Sequence, residues 1–77
     1  MKTNKLTREE LYEKLQREPV YLYNDYEQAV VKLDNSLPNY LVKLKGREEF
    51  KAITGSGVVA EAILDLLEVS KEDYDNF

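Results

Sequence analysis

The sequence contains no cysteine, no histidine and no tryptophan among its 77 residues. Without cysteine, the chain can form neither a disulfide framework nor a zinc site with thiolate ligands. Without histidine, it lacks the side chain most often used in general acid–base catalysis, and none of its three serines can belong to a serine–histidine pair. We therefore expect a non-enzymatic protein with no catalytic site, no metal and no cofactor, which acts by binding.

Long apolar runs are also missing from the sequence. Residues 1–6 are polar and basic, and no apolar stretch follows them, which is unlike a signal peptide. No segment approaches the roughly 20 apolar residues that a membrane-spanning helix requires. These absences predict a cytoplasmic protein that does not bind membranes.

The size and composition indicate one folded domain over residues 1–77. The chain is 43% hydrophobic and 34% charged, which is too apolar for a disordered segment and predicts a strongly charged surface. We expect residues 1–6 to be a flexible N-terminus. Residues 70–77 are predicted to form a loosely attached acidic tail.

Charge is distributed unevenly along the chain. The net charge is −4, and residues 55–77 carry six acidic side chains against one lysine, a net of −5. Residues 32–54 carry five basic side chains against three acidic ones, a net of +2. Nucleic-acid binding by the whole surface is therefore not expected, although a local basic face remains available.

The first predicted helix covers residues 8–17. Thr7 and Glu10 have the spacing of a capping box, in which each side chain accepts a hydrogen bond from the backbone of the other. Leu6 and Leu11 stand at the positions of a hydrophobic staple. Pro19 ends the helix, because the residue before a proline avoids the α region.

After Pro19 the apolar residues recur with a period of two, which predicts strands. Turn residues separate them, and such short connections favour antiparallel neighbours. The predicted strands are 20–23, 26–34, 40–45 and 50–54, with turns at 24–25, 35–39 and around Gly46.

The second predicted helix covers residues 58–68, with Ser56 as its N-cap. Apolar side chains occupy one of its faces, and Glu61, Asp65 and Glu68 occupy the other. The sequence thus predicts an α+β fold, α-β(3–4)-α. Its antiparallel three- or four-stranded meander would be packed on one face by the N- and C-terminal helices.

One face of this sheet is the first candidate interaction surface. If Leu22, Val31, Val42 and Phe50 point toward the helices, the opposite face combines tyrosines, lysines and apolar residues. Three interpretations stay open: an ordinary solvated sheet, a surface for a protein partner or homodimer, and a platform for single-stranded nucleic acid. The residues of this face are Tyr21, Tyr23, Val30, Lys32, Leu41, Lys43, Lys45, Lys51 and Ile53.

The acidic helix face is the second candidate. Glu61, Asp65 and Glu68 fall at i, i+4 and i+7, so their carboxylates would form a row along the helix. Such a row is usually a solvated surface. It could also imitate a phosphate backbone and occupy the basic groove of a host enzyme that acts on nucleic acid.

Two segments, Tyr40–Gly46 and Val69–Phe77, resemble small uncharacterised proteins of phages, plasmids and other mobile elements in Gram-positive bacteria. The resemblance implies an accessory or host-modulating protein, and it implies no activity or site residues. Together with the open sheet face, it makes a protein-interaction module the leading hypothesis.

Overall fold

The computed structural model describes residues 1–37, 39–53 and 55–77. Pro38, in the predicted turn 35–39, and Thr54, at the end of the predicted strand 50–54, lie outside the described residues. The helices and strands are β1 (Asn4–Lys5), α1 (Arg8–Leu15), β2 (Val20–Asn24), β3 (Ala29–Leu33), β4 (Leu41–Leu44), β5 (Phe50–Lys51), α2 (Gly57–Asp65), β6 (Leu67–Val69) and α3 (Lys71–Asp75).

The strands form one antiparallel sheet in the order β1-β6-β2-β3-β4-β5. The α+β class is therefore confirmed, and β2 to β5 form the predicted meander. The prediction of three or four strands was too low. β6, whose first two residues were assigned to the second helix, inserts between β2 and β1. β1 in turn lies in the segment 1–6 that was expected to be flexible.

The start of α1 follows the predicted pattern. Thr7 Oγ1 accepts a hydrogen bond from the Glu10 amide at 3.1 Å, and the Thr7 amide donates to Glu10 Oε1 at 2.9 Å. Leu6 and Leu11 are both buried in the same core cluster, as a hydrophobic staple requires. The helix ends at Leu15, two residues before the predicted end.

The first hairpin turn is longer than the sequence predicts. β3 begins at Ala29, because residues 25–28 form a turn instead of extended strand. Asn24 Oδ1 accepts a hydrogen bond from the Glu27 amide at 2.9 Å, and Gln28 adopts a left-handed φ of 51°. This hydrogen bond stabilises the turn, so β3 begins at Ala29 and not at residue 26 as predicted.

The main core lies between the sheet and the first two helices. Leu22, Val31 and Val42 are cross-strand neighbours, and all three are buried on what we call the helix-side face. Leu11 from α1 and Ala62 from α2 pack against the same cluster. This face matches the one predicted to carry the core.

The opposite face, called here the tail-side face, is covered by the C-terminal residues. Tyr74 of α3 is only 2% exposed and packs with Tyr21, Val30 and Val69 in a second core cluster. The two predicted helices, α1 and α2, do pack together on the helix-side face, but the third helix, α3, covers the face that was expected to be open.

The chain termini also differ from their predictions. Asn4 and Lys5 pair with Glu68 and Leu67 of β6, and Leu6 is 2% exposed. The predicted flexible segment 1–6 thus ends in a paired strand and a core leucine. The segment 70–77 is attached through its aromatic side chains, because burying them removes apolar surface from water.

Candidate functional site

The strand register places seven of the nine predicted interaction residues on the tail-side face. Tyr21, Lys32, Leu41 and Lys51 form one row across four strands, and Tyr23, Val30 and Lys43 form the next. Cross-strand partners share a face, so the predicted alternation holds for these residues. Lys45 lies in the turn after β4, and Ile53 lies beyond the end of β5.

This face is not the open surface that the sequence predicts. The ring of Tyr21 lies 4.9 Å from that of Tyr74, and the ring of Tyr23 lies 6.1 Å from that of Phe77. Val30 is fully buried beneath the C-terminal segment that carries Tyr74 and Phe77. These side chains pack within the molecule, so they do not present an apolar or aromatic platform to a partner.

The lysines of the face are divided between structural and exposed roles. Lys43 Nζ donates hydrogen bonds to the carbonyl oxygens of Tyr74 at 2.9 Å and Asp75 at 2.8 Å, so it binds the end of α3. Lys32 is half-buried, while Lys45 and Lys51 are exposed. The tyrosines and lysines therefore do not combine in the way that base stacking and phosphate contact would require.

A hydrogen bond anchors the tail at its centre. Tyr74 Oη donates to Glu49 Oε2 at 2.6 Å. Burial raises the pKa of Tyr74 above its ordinary value, and the hydrogen bond to Glu49 and its negative charge raise it further. The phenol therefore stays protonated and keeps its role as donor to the Glu49 carboxylate.

The predicted acidic helix face is interrupted. Glu61 and Asp65 belong to α2, but Glu68 belongs to β6, because the left-handed φ of 54° at Leu66 ends the helix. The Glu68 side chain is 18% exposed and forms a salt bridge of 2.8 Å with Lys14 of α1. The three carboxylates thus do not form one row on a helix.

A groove between α2 and the β4–β5 end of the sheet gathers exposed apolar side chains instead. It has a volume of about 610 Å³. Ile53 is 80% exposed at its rim, and Tyr40 is 46% exposed. We call it the apolar groove; it is lined by Asp34, Asn35, Leu37, Asn39, Tyr40, Ala52, Ile53, Gly55, Ser56, Val59, Ala60 and Ile63.

The position of α2 explains why this groove is open. The helix packs chiefly on β2 and β3, so it leaves the helix-side face over β4 and β5 only partly covered. Ser56 starts the helix by accepting a hydrogen bond from the Val59 amide, at a distance of 3.5 Å. Val59 is buried in the main core and also lines the groove, together with Ala60 and Ile63 of the same helix.

Sequence reasoning missed this surface. It left Tyr40 out of the candidate interaction residues and assigned Ile53 to the tail-side face of the sheet. The sequence did contain an indication of this surface, because apolar residues stand at the ends of both predicted strands 40–45 and 50–54. Two short helices cannot cover all of these residues, so some of them remain exposed.

The chemistry of the apolar groove suits binding. Its one acidic lining residue is Asp34, whose Oδ1 accepts hydrogen bonds from the Ser36 amide at 2.9 Å and from Ser36 Oγ at 2.7 Å. These bonds lower the pKa of Asp34. The Asp34 carboxylate thus stabilises the local turn. Within residues 1–37, 39–53 and 55–77, no cluster of acidic side chains has the arrangement of a metal site.

Comparison of the chain with protein-family models, with curated proteins and with solved structures finds no match in any of the three. Among the helices of the described segments, none has the length and apolar character that crossing a membrane requires.

Proposed function

We propose that the protein is a non-enzymatic interaction module that binds a protein partner through the apolar groove. The supporting observation is the exposure of Leu37, Tyr40 and Ile53 around one concave surface. Exposed apolar side chains are ordinary when scattered, but a contiguous patch beside a concavity is typical of interaction sites.

The groove offers enough apolar surface to contribute to binding. Covering one exposed large aliphatic side chain contributes about 1.5–3 kcal/mol, before the costs of association. Ile53 and Tyr40 supply an aliphatic and an aromatic anchor in the lining of the groove, and Tyr is enriched among residues that dominate binding energy.

The alternative functions receive less support from the arrangement of their residues. Binding of single-stranded nucleic acid would need Tyr21 and Tyr23, which pack against α3 and the C-terminal residue. Mimicry of a phosphate backbone would need a row of carboxylates that includes Glu68, which pairs with Lys14. A role in phages or mobile elements rests on the resemblance of two segments and remains a proposal.

Capture of partners by groove variants tests the proposed function. Immobilised wild-type protein is compared with Ile53→Lys, which places a charge in the groove, by incubating each with lysate of the source cells. We expect specific partners to be retained by the wild type and lost from the variant.

Two variants serve as controls. Leu64→Lys makes the same kind of change at an apolar side chain of α2 that is 67% exposed and does not line the groove. Leu41→Lys changes the half-buried leucine of the tail-side face. Partners that are retained equally by wild type and Ile53→Lys, or lost only with Leu41→Lys, would show that the groove is not the binding site.

A further inference from the structure

β5 ends the sheet, and its outer edge has backbone groups available for pairing. The Ala52 amide donates to the Tyr40 carbonyl oxygen at 2.8 Å, so the backbone of Ala52 points inward toward β4. Backbone groups of alternate residues point in opposite directions along a strand. The N–H and C=O groups of Glu49 and Lys51 therefore point outward, where no strand of the described residues pairs with them.

We propose that the partner at this end of the sheet is a second copy of the chain, joined by antiparallel pairing of the two β5 edges. The β5 edge is a second surface beside the apolar groove, so this inference goes beyond the proposed function and does not depend on what the groove binds. A two-fold axis beside Phe50 places Phe50 opposite its counterpart. It also places Lys51 opposite Glu49 of the second copy, and Glu49 opposite Lys51 of that copy.

The charges of Glu49 and Lys51 favour this register over pairings that are shifted by two residues. A shift by two residues in either direction places Lys51 opposite Lys51 of the other copy, or Glu49 opposite Glu49. Like charges directly opposite each other destabilise a strand pair, whereas opposite charges stabilise it. A shift by one residue sets outward-pointing backbone groups against inward-pointing ones, so the ladder of hydrogen bonds is lost.

The side chains on both faces fit the same pairing. Phe50 is 45% exposed on the helix-side face, and in this register its ring meets the equivalent ring in a cross-strand aromatic pair. On the tail-side face, Glu49 is already held by the 2.6 Å hydrogen bond from Tyr74. An ionised carboxylate has further acceptor sites, so it can also receive the lysine of the second copy.

Charged residues on an edge strand commonly prevent association. On β5 they instead alternate in sign around an apolar centre, which makes the edge complementary to itself. In the dimer, the two sheets would join at their β5 edges and form one continuous sheet. It would also bring the two apolar grooves to the same face, on either side of the two Phe50 rings.

Charge exchange between purified chains tests the pairing. Glu49→Lys gives an edge with two lysines, and Lys51→Glu gives an edge with two glutamates. We expect each variant alone to dimerise about tenfold more weakly than the wild type in sedimentation equilibrium. An equimolar mixture of the two variants should recover dimers, and these should contain one chain of each kind by native mass spectrometry.

Tyr74→Phe is the control for the hydrogen bond that Glu49→Lys also removes, and it should leave dimerisation unchanged. A wild type that stays monomeric over the whole concentration series overturns the proposal. So does a mixture of the two variants that recovers no mixed dimers. In either case, groove-dependent capture of other proteins would leave the proposed function standing. Mixed dimers combined with capture that ignores Ile53→Lys would support the edge pairing and contradict the groove.

Discussion

A single buried asparagine connects the first hairpin to the second helix. Asn24 is 0% exposed and lies on the helix-side face, where the alternation of β2 calls for an apolar residue. Its Nδ2 donates to the Val58 carbonyl oxygen at 3.0 Å, and its Oδ1 accepts from the Glu27 amide at 2.9 Å. Both ends of the side-chain amide are therefore used, which offsets the cost of burying it.

We expect Asn24→Ala to lower the free energy of unfolding by about 1–3 kcal/mol, because the Glu27 amide and the Val58 carbonyl oxygen both lose their hydrogen bonds to the buried Asn24 side chain. Urea unfolding followed by circular dichroism measures the change. Asn39→Ala, at an exposed asparagine, should change stability by less than about 0.5 kcal/mol. Equal effects of the two variants would contradict the structural role of Asn24.

At the scale of elements, the boundary between α2 and β6 depends on Leu66. This residue is the C-cap of α2 with φ 54° and ψ 43°, a conformation that glycine usually supplies, yet it is 6% exposed in the main core. The burial of its side chain offsets the backbone cost of about 1–2 kcal/mol. The turn then directs residues 67–69 into the sheet.

Leu66→Gly tests the balance between these two effects. Glycine removes the backbone cost, but loss of a buried leucine side chain costs about 2–5 kcal/mol. We expect a net loss of about 1–3 kcal/mol in the free energy of unfolding. Gln28→Gly, at an exposed residue with φ 51°, should be neutral or stabilising in the same denaturation assay. A stabilised Leu66→Gly would show that the side chain contributes little.

The sequence predicted elements well where the cause is local. The capping box at Thr7 and Glu10 involves residues within one turn, so α1 and its start were identified correctly. The second helix was extended to residue 68, because a left-handed leucine has no local indication of the kind that glycine gives. β1 and β6 were missed, since two or three residues become a strand only when partners pair with them.

At the scale of the whole molecule, the sheet is covered on both faces because α3 folds back onto it. α3 has five residues and is too short to be stable alone, so its stability comes from packing and from its hydrogen bonds to the body. Tyr74 contributes to both through its contact with Tyr21 and its hydrogen bond to Glu49. The candidate tail-side surface is thereby closed.

This packing predicts loss of stability in alkali. The pKa of Tyr74 is raised in the folded state, so its contribution is complete below the ordinary tyrosine pKa of 10.0 and declines as the pH rises above it. The slope from Tyr74 should reach up to about 1.4 kcal/mol per pH unit. Urea unfolding from about pH 8 to about pH 11 measures it.

Tyr74→Phe is the matched variant, because it keeps the ring and removes the ionisable hydroxyl. Its stability should fall less steeply over the same pH range, with a remaining slope from Tyr23, whose pKa is raised by burial and by the hydrogen bond to Asp25. Parallel pH profiles for wild type and variant would show that Tyr74 ionises as easily in the folded chain as in the unfolded one.

The sequence by itself determined the α+β class, the capped start of α1, the alternation of side chains in the meander and the segregation of acidic charge to the C-terminal part. These properties follow from periodicity and composition within short segments. Only the tertiary structure decided which surfaces are exposed. It buried Tyr21 and Val30 beneath α3, paired Glu68 with Lys14, and left Tyr40 and Ile53 around an open groove. Exposure depends on what packs against each side chain, and those contacts join residues far apart in the chain.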